Sequence, residues 1–358
     1  MNRSFWRGKR VLVTGHTGFK GSWLVAWLNS LSADVAGFAL PPATKPSLFS
    51  QLGLAKETEH RTGDVRSFKS ILKAVRDFRP QIVFHLAAQP LVRDSYDRPV
   101  ATYETNVMGT VNLFEAIRQS RGVRVVVNVT TDKVYANDER GRAFNESAPL
   151  GGRDPYSSSK SCSEFVTQAY RDSFFGGAKN RLEVTRVATA RSGNVIGGGD
   201  WSKDRLIPDL VRAFAAGRTA MVRYPDAVRP WQHVLEAIHG YLVLAESLWP
   251  EKSRTVGAWN FGPPARLSKT VAVLADRFSH AWGDDSRWMI DKRTHPEEAG
   301  LLLLDSRQAH RQLGWSCQLS FRETVKWTAD WYKRRENGES VTAITTSQLV
   351  AYENLTKR

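Results

Sequence analysis

An α/β fold is what this sequence predicts: a doubly wound parallel sheet covered by helices on both faces, with a smaller part appended. Three observations predict it. Strand-length apolar runs alternate with helix-length amphipathic segments through the first half of the chain. A glycine-rich turn, Gly15-His16-Thr17-Gly18-Phe19-Lys20-Gly21, joins the first run to the first helix pattern. Beyond residue 190 the alternation gives way to shorter pieces punctuated by Pro, Gly and Trp.

The first strand is Arg10–Thr14, a short run of Val and Leu. Gly21–Leu31 carries a helix pattern, and Asp34–Ala39 reads as the second strand. Phe68–Phe78 predicts a helix and Gln81–Leu86 a strand. Val100–Ser120 is one long helix pattern, followed by the strongly apolar strand Val123–Thr130. A further helix starts at Pro155, and Leu182–Ala190 resembles a strand again. Apolar strands separated by helices imply a parallel sheet buried on both sides. The glycine-rich stretch Gly193 to Trp201 is loop-like. The expected division is 1–190 for a dinucleotide-binding domain of Rossmann type. Residues 191–358 then form mainly a substrate-binding part, with room for some segments to return to the main sheet.

With 358 residues, 41% of them hydrophobic, the chain can bury a large core. No apolar run approaches the length of a membrane span, and the N-terminus lacks the apolar segment and cleavage site of a signal peptide. Cys162 and Cys317 are too few for a disulfide framework or a metal-spaced set. A cytoplasmic, reducing location is therefore expected, with no metal and no membrane partner. The net charge of +15 is scattered, without a run of basic residues, so a nucleic-acid partner is not expected. A small anionic ligand such as a diphosphate accounts for the balance as well.

Glycines in the Gly15–Gly21 turn let the backbone approach a pyrophosphate, while the helix N-terminus beyond supplies N–H donors and positive potential. The spacing is GxxGxxG. An acidic residue at the end of the second strand would hold the adenosine ribose, but that end reads Gly37-Phe38-Ala39-Leu40-Pro41. The choice between NAD and NADP stays open on these residues. Asp64, in Gly63-Asp64-Val65, can accept from an adenine amino group or cap the helix that follows.

A second constellation centres on Asp154-Pro155-Tyr156 and Lys160. Pro fits the first turn of a helix and Asp before it fits the cap. Tyr156 and Lys160 then lie one turn apart on one face. A phenol titrates near pH 10, and an ammonium beside it favours the phenolate. The pair can take a proton from an alcohol while hydride leaves the same carbon. Thr130-Thr131-Asp132-Lys133 ends the preceding strand and adds an acid and an amine.

Together these stretches resemble the extended short-chain dehydrogenase/reductase family, along with His85-Leu86-Ala87-Ala88 and Asn106-Val107-Met108-Gly109-Thr110. Thr131-Asp132-Lys133 resembles the nucleotide-sugar 4,6-dehydratases within it. Lys in the third place, where many members carry Glu, points to CDP-glucose as substrate. Ala88-Gln89-Pro90-Leu91-Val92-Arg93, Asp204-Arg205-Leu206-Ile207-Pro208 and Arg229-Pro230-Trp231-Gln232-His233-Val234 fit the same subgroup.

The resemblance implies NAD held by Gly15, Thr17, Gly18, Phe19, Lys20, Gly21, Asp64, Val65, Leu86, Ala87, Ala88 and Asn106, with Tyr156 and Lys160. It makes Tyr156 the base for the sugar 4-hydroxyl, and Lys160 the group that lowers its pKa and holds the nicotinamide ribose. Thr131 bonds the 4-oxygen, and Asp132 protonates the departing 6-hydroxyl. Lys133 stands where relatives place the C5 base, a role an amine can fill only with a lowered pKa. Asn194, Arg205, Leu206, Arg229 and Asn260 are the implied nucleotide-sugar ligands, with His295 a further candidate. The family forms dimers through helices at Val100–Ser120 and Pro155–Tyr170, so a homodimer or homotetramer is implied; those apolar faces can also be buried within one subunit. A 4,6-dehydratase for another nucleotide sugar, or a 4-epimerase, which needs Tyr and Lys but not the Asp132/Lys133 pair, is the alternative. Tyr224, where Asn is usual, and Leu301, where Tyr is usual, bear on substrate identity rather than reaction class.

Overall fold

A computed structural model describes residues 1–175, 184–250, 253, 255–283, 285–296 and 299–357. Six parallel strands succeed one another along the chain, all but β3 in the predicted alternation: β1 (Arg10–Thr14), β2 (Asp34–Ala39), β3 (Glu59–Thr62), β4 (Ile82–His85), β5 (Val125–Val129) and β6 (Arg186–Ser192). A seventh, Gly257–Phe261, pairs parallel to β6, so the chain beyond 190 re-enters the sheet. The spatial order runs from this strand through β6, β5, β4, β1, β2 to β3. Of the last strand foreseen in the sequence, Leu182 and Glu183 lie outside the described residues.

Alternation along the strands sorts side chains onto two cores. Val11, Val13, Ile82, Phe84, Val125 and Val127 face the larger one, where Trp23, Trp27, Trp259 and Trp331 are also fully buried. Leu12, Val83, Val126 and Val187 face the other, beneath helices Phe68–Phe78 and Gly109–Arg118. Two departures from the expected elements stand out. β3, Glu-His-Arg-Thr, has no apolar alternation to announce it and forms because it is an edge that Ala36–Ala39 templates. The long pattern from Val100 is interrupted by a π-helical turn, Glu104–Met108, between Pro99–Tyr103 and Gly109–Arg118. There Gly109 sits against Val65, where a Cβ would come within 2.7 Å of a Val65 methyl.

β1 is hydrogen-bonded to β2 on one side and β4 on the other, so the chain changes direction across the sheet at β1/β4. The crevice outside the C-terminal strand ends at such a point is where open α/β sheets take ligands. Short strand pairs and the helices Leu206–Ala215 and Val271–Trp282 form the smaller part facing that crevice. No described helix is long and apolar enough to cross a membrane, and no group of metal-ligating side chains occurs among the described residues.

Candidate active site

Helix Pro155–Tyr170 begins as its sequence dictates. Asp154 accepts from the Ser157 amide at 2.9 Å, and Pro155 occupies the first turn. The Tyr156 amide donates to Ser95 Oγ at 3.1 Å, which fixes the entry of the helix against the short helix Val92–Asp97 that follows β4. The Tyr156 phenol and the Thr131 side chain, just past the end of β5, line the same cavity, and Thr131 favours the phenolate. Thr131 Oγ1 donates to Asp132 Oδ1 at 3.2 Å, and Lys133 Nζ lies 3.7 Å from that same oxygen. Hydroxyl, carboxylate and amine thus follow one another, with the phenol in the same cavity wall.

Asp132 is fully buried, and its Oδ2 has no hydrogen-bond partner among the described residues. That oxygen is packed against Gly193, where a Cβ would fall 1.6 Å from it. Only glycine leaves the carboxyl room, and the sequence offers no sign of this contact because the two residues are far apart along the chain.

Electrostatics modify the sequence reading in one respect. Burial pushes the Tyr156 phenol up to about 12, against Thr131 and Arg205, which favour the phenolate. Lys160 does not point its ammonium at the phenol: Nζ donates to the Val129 carbonyl at 3.2 Å, and burial brings the amine down to about 8 while Glu164 opposes that shift. Glu164, one further turn along the same face, belongs to a buried network. It accepts from Thr189 and twice from Arg191, all at 2.8–2.9 Å. Glu164 was not foreseen, although the 156, 160, 164 spacing carries the signal.

The glycine turn has the shape that close approach requires. Gly15 adopts φ +73°, and a Cβ on it would lie 2.6 Å from the Ala87 amide nitrogen. A Cβ on Gly21 would meet the Gly15 carbonyl at 2.2 Å. Gly18 caps the helix Phe19–Ser30, and Thr17 Oγ1 donates to the Leu40 carbonyl at 2.9 Å, tying the turn to the end of β2. Leu86, Ala87 and Ala88 follow β4 on the opposite side, where the Ala87 amide donates to Thr14 Oγ1. The turn thus packs its own backbone tightly against the Leu86–Ala87 segment and brings the chain, with no side chain at its cap Gly18, to the N-terminus of helix Phe19–Ser30, an arrangement that fits a dinucleotide pyrophosphate.

Three of the expected cofactor residues are engaged elsewhere. Asp64 accepts from Arg66 at 2.6 Å, Val65 is buried against Gly109, and Asn106 bonds the Gln89 amide and Ser159 Oγ at 2.8 and 2.9 Å. Asn106 therefore ties the loop after β4 to the Tyr156 helix. Phe19 and Lys20 do line a cavity, the same one that Thr131, Lys133 and Tyr156 line. Lys20 Nζ is 3.5 Å from the Tyr241 hydroxyl, and burial, with Lys160 and Arg205 nearby, lowers its amine to about 7.

The cavity holds about 260 Å³ and extends over the smaller part of the chain. Asn194 stands in its wall in a left-handed conformation, φ +34°, with Oδ1 buried and unpartnered. Arg205 and Leu206 line it as well, Arg205 pairing with Asp200 at 3.0 Å. Arg229 is in the wall, yet its guanidinium donates to the carbonyls of Val228, Ala299 and Gly300. Two expected ligands fall outside the wall. Asn260 is fully buried, accepting from Tyr135 Oη at 2.6 Å and donating to the Phe144 and Asp305 carbonyls. His295 lies 3.1 Å from Asp291 and packs beside Tyr224.

Comparison with known proteins places this arrangement. The sequence model of the family described as GDP-mannose 4,6 dehydratase matches residues 12–328. The chain is 46% identical over 358 residues, all of each chain, to CDP-glucose 4,6-dehydratase of Salmonella typhimurium. Among solved structures it resembles the Thermus thermophilus UDP-glucose 4-epimerase in complex with NAD, at TM-score 0.77 and 25% identity, covering 90% of this chain and 99% of that one. The Bacillus anthracis dTDP-glucose 4,6-dehydratase in complex with NAD has the same fold, at TM-score 0.76 and 21% identity, covering 92% and 98%.

Proposed function

Because the chain belongs to the GDP-mannose 4,6-dehydratase family of nucleotide-sugar enzymes, we propose that it is a CDP-glucose 4,6-dehydratase, an NAD-dependent hydro-lyase converting CDP-glucose to CDP-4-keto-6-deoxyglucose and water. The observation that carries this reading is the grouping of Tyr156, Thr131 and Lys133 in the wall of one cavity, with Asp132 buried directly behind and touching both Thr131 and Lys133. A simple 4-epimerase has no use for the Asp132/Lys133 pair.

The turn Gly15–Gly21, Lys20 and the Leu86–Ala88 segment would hold the dinucleotide. Bound there, NAD would supply a hydride acceptor for C4 and a hydride donor for C6, with no net redox change over a turnover. Thr131 holds the 4-oxygen while Tyr156 removes the hydroxyl proton as C4 is oxidised. A carbonyl at C4 acidifies the hydrogen on C5. With the proton of the Lys133–Asp132 pair on Asp132, Lys133 as the free amine removes the C5 proton, and Asp132 gives its proton to the 6-hydroxyl, which departs as water. Asn194 and Arg205 bind the diphosphate, for which a guanidinium offers paired donors.

Asp132→Asn tests the assignment with CDP-glucose, UDP-glucose and dTDP-glucose in parallel. The wild type should form a 4-keto-6-deoxy product from CDP-glucose above the others, identified by mass. The variant should lose elimination by about 10²-fold or more while C4 oxidation persists. Full turnover by the variant would reject the role of Asp132, and epimerisation without water loss would favour the rival reaction.

The product is a deoxysugar precursor of the kind used in lipopolysaccharide O-antigen, made in the cytoplasm. A homodimer is part of the same reading. Tyr96, Val100, Tyr103, Met108 and Phe165 are exposed along the helices before and after β5, and such a row of large apolar side chains is suited to burial against a second copy. Sedimentation as a monomer at micromolar concentration would count against it.

A further inference from the structure

We infer that Asp204 is a stand-in for the substrate's diphosphate: its carboxylate holds two guanidinium groups at the cavity mouth and is displaced when a nucleoside diphosphate enters. This rests on the nucleotide-sugar reading above. Arg93 Nη1 donates to Asp204 Oδ1 at 2.8 Å, and Arg223 Nη1 donates to the same oxygen at 2.9 Å. All three residues line the cavity that holds Tyr156 and Thr131. Arg93 lies on the helix Val92–Asp97 following β4, whereas Arg223 follows the strand Ala220–Val222 in the smaller part, so one carboxylate joins the two sides of the mouth.

The other carboxylates of the wall are fixed differently. Asp200, nearly buried, accepts from Arg205 at 3.0 Å and from the Ser202 amide at 3.0 Å. Asp209 is paired with Arg212 one turn along its own helix. Asp204 is the exposed one, at 40% for its side chain, on a residue with φ +60°. Its carboxylate is held, among the described residues, by the two cations alone. Ion pairs this open to water are weak and exchange readily. A diphosphate carries more charge and more acceptor oxygens than one carboxylate, and planar guanidinium forks favour it. Asp204 keeps two like charges from facing each other before substrate arrives, and competes with the substrate once it does.

Calorimetric titration of Asp204→Asn with CDP and with cytidine tests the inference. Removing the competitor should tighten CDP binding about fivefold, leave cytidine unchanged because it has no phosphate, and lower KM for the nucleotide sugar by a similar factor. Arg93→Met and Arg223→Met should each weaken CDP binding, and Asp204→Asn combined with Arg93→Met should lose most of the gain. CDP affinity equal to or below wild type in Asp204→Asn, with cytidine unchanged, would overturn the proposal and leave Asp204 a structural tie. UDP and dTDP are titrated beside CDP. The effect of Asp204 is read on whichever nucleoside diphosphate binds, while the preference among bases reports separately on the substrate assignment.

Discussion

One side chain buried behind the cavity wall and one within it are constrained by what packs around them. Asp132 is enclosed by Gly193, so Gly193→Ala sets a methyl carbon where Oδ2 now sits. The carboxyl must rotate away from the Thr131 and Lys133 contacts, and a displacement of that size should reduce kcat by about 10²-fold. Measured formation of the 4-keto product at saturating substrate checks it, and near-normal kcat would mean Asp132 is not the proton donor. Lys20 presents the opposite case, an amine lowered to about 7 from 10.5. Between those values the unfolded chain binds a proton that the native state does not, so native stability falls as pH drops from 10.5 to 7 and levels off below. Lys20→Met removes the penalty. Its melting temperature should exceed wild type on the order of 3 °C at pH 6, with the gain shrinking toward pH 10. A gain equal at both ends of the range would show that Lys20 carries its charge in the folded protein. Neither contact is legible in the sequence. Tyr156, Lys160 and Thr131 are, because helical spacing and a strand end fix them locally, whereas Gly193 meets Asp132 only through the pairing of β5 with β6.

At the scale of elements, the helix Pro155–Tyr170 carries both the chemistry and its anchor. Tyr156 lines the cavity, Lys160 is tied to the Val129 carbonyl, and Glu164 binds Arg191 of β6 with both side chains 4% exposed. Glu164→Gln leaves an unpaired buried guanidinium, and breaking such a pair costs about 3–5 kcal/mol. A large drop in the urea midpoint is expected, together with lost activity, because Lys160 loses the negative charge that favours its ammonium. An unchanged midpoint would mean the network is dispensable. The main strands and helices were readable from periodicity, since parallel strands buried on both faces are continuous apolar runs. β3 was not, because its pairing with β2 rather than its own composition makes it a strand. The π turn at Glu104–Met108 was hidden for a related reason: it serves Asn106, whose partners Gln89 and Ser159 come from elsewhere in the chain.

For the whole molecule, the net charge of +15 acts on an anionic substrate before any contact forms. Arg93, Lys133, Arg205, Arg223 and Arg229 line one cavity with the carboxylates Asp200, Asp204 and Asp209, so the wall keeps a positive balance where a nucleotide sugar must enter. A cleft with such a balance attracts counter-charged ligands and accelerates their capture, an effect lost as salt shortens the screening length to about 10 Å at 0.1 M. Raising ionic strength from about 0.02 to about 0.3 M should therefore lower kcat/KM on the order of tenfold. Turnover at saturation should change little, because Tyr156, Asp132 and Lys160 are buried beyond the reach of added ions. Steady-state kinetics across that range separate the two constants. A flat kcat/KM would assign the charge to general solubility alone, whereas a fall confined to kcat would place the salt-sensitive step inside the cavity, after binding.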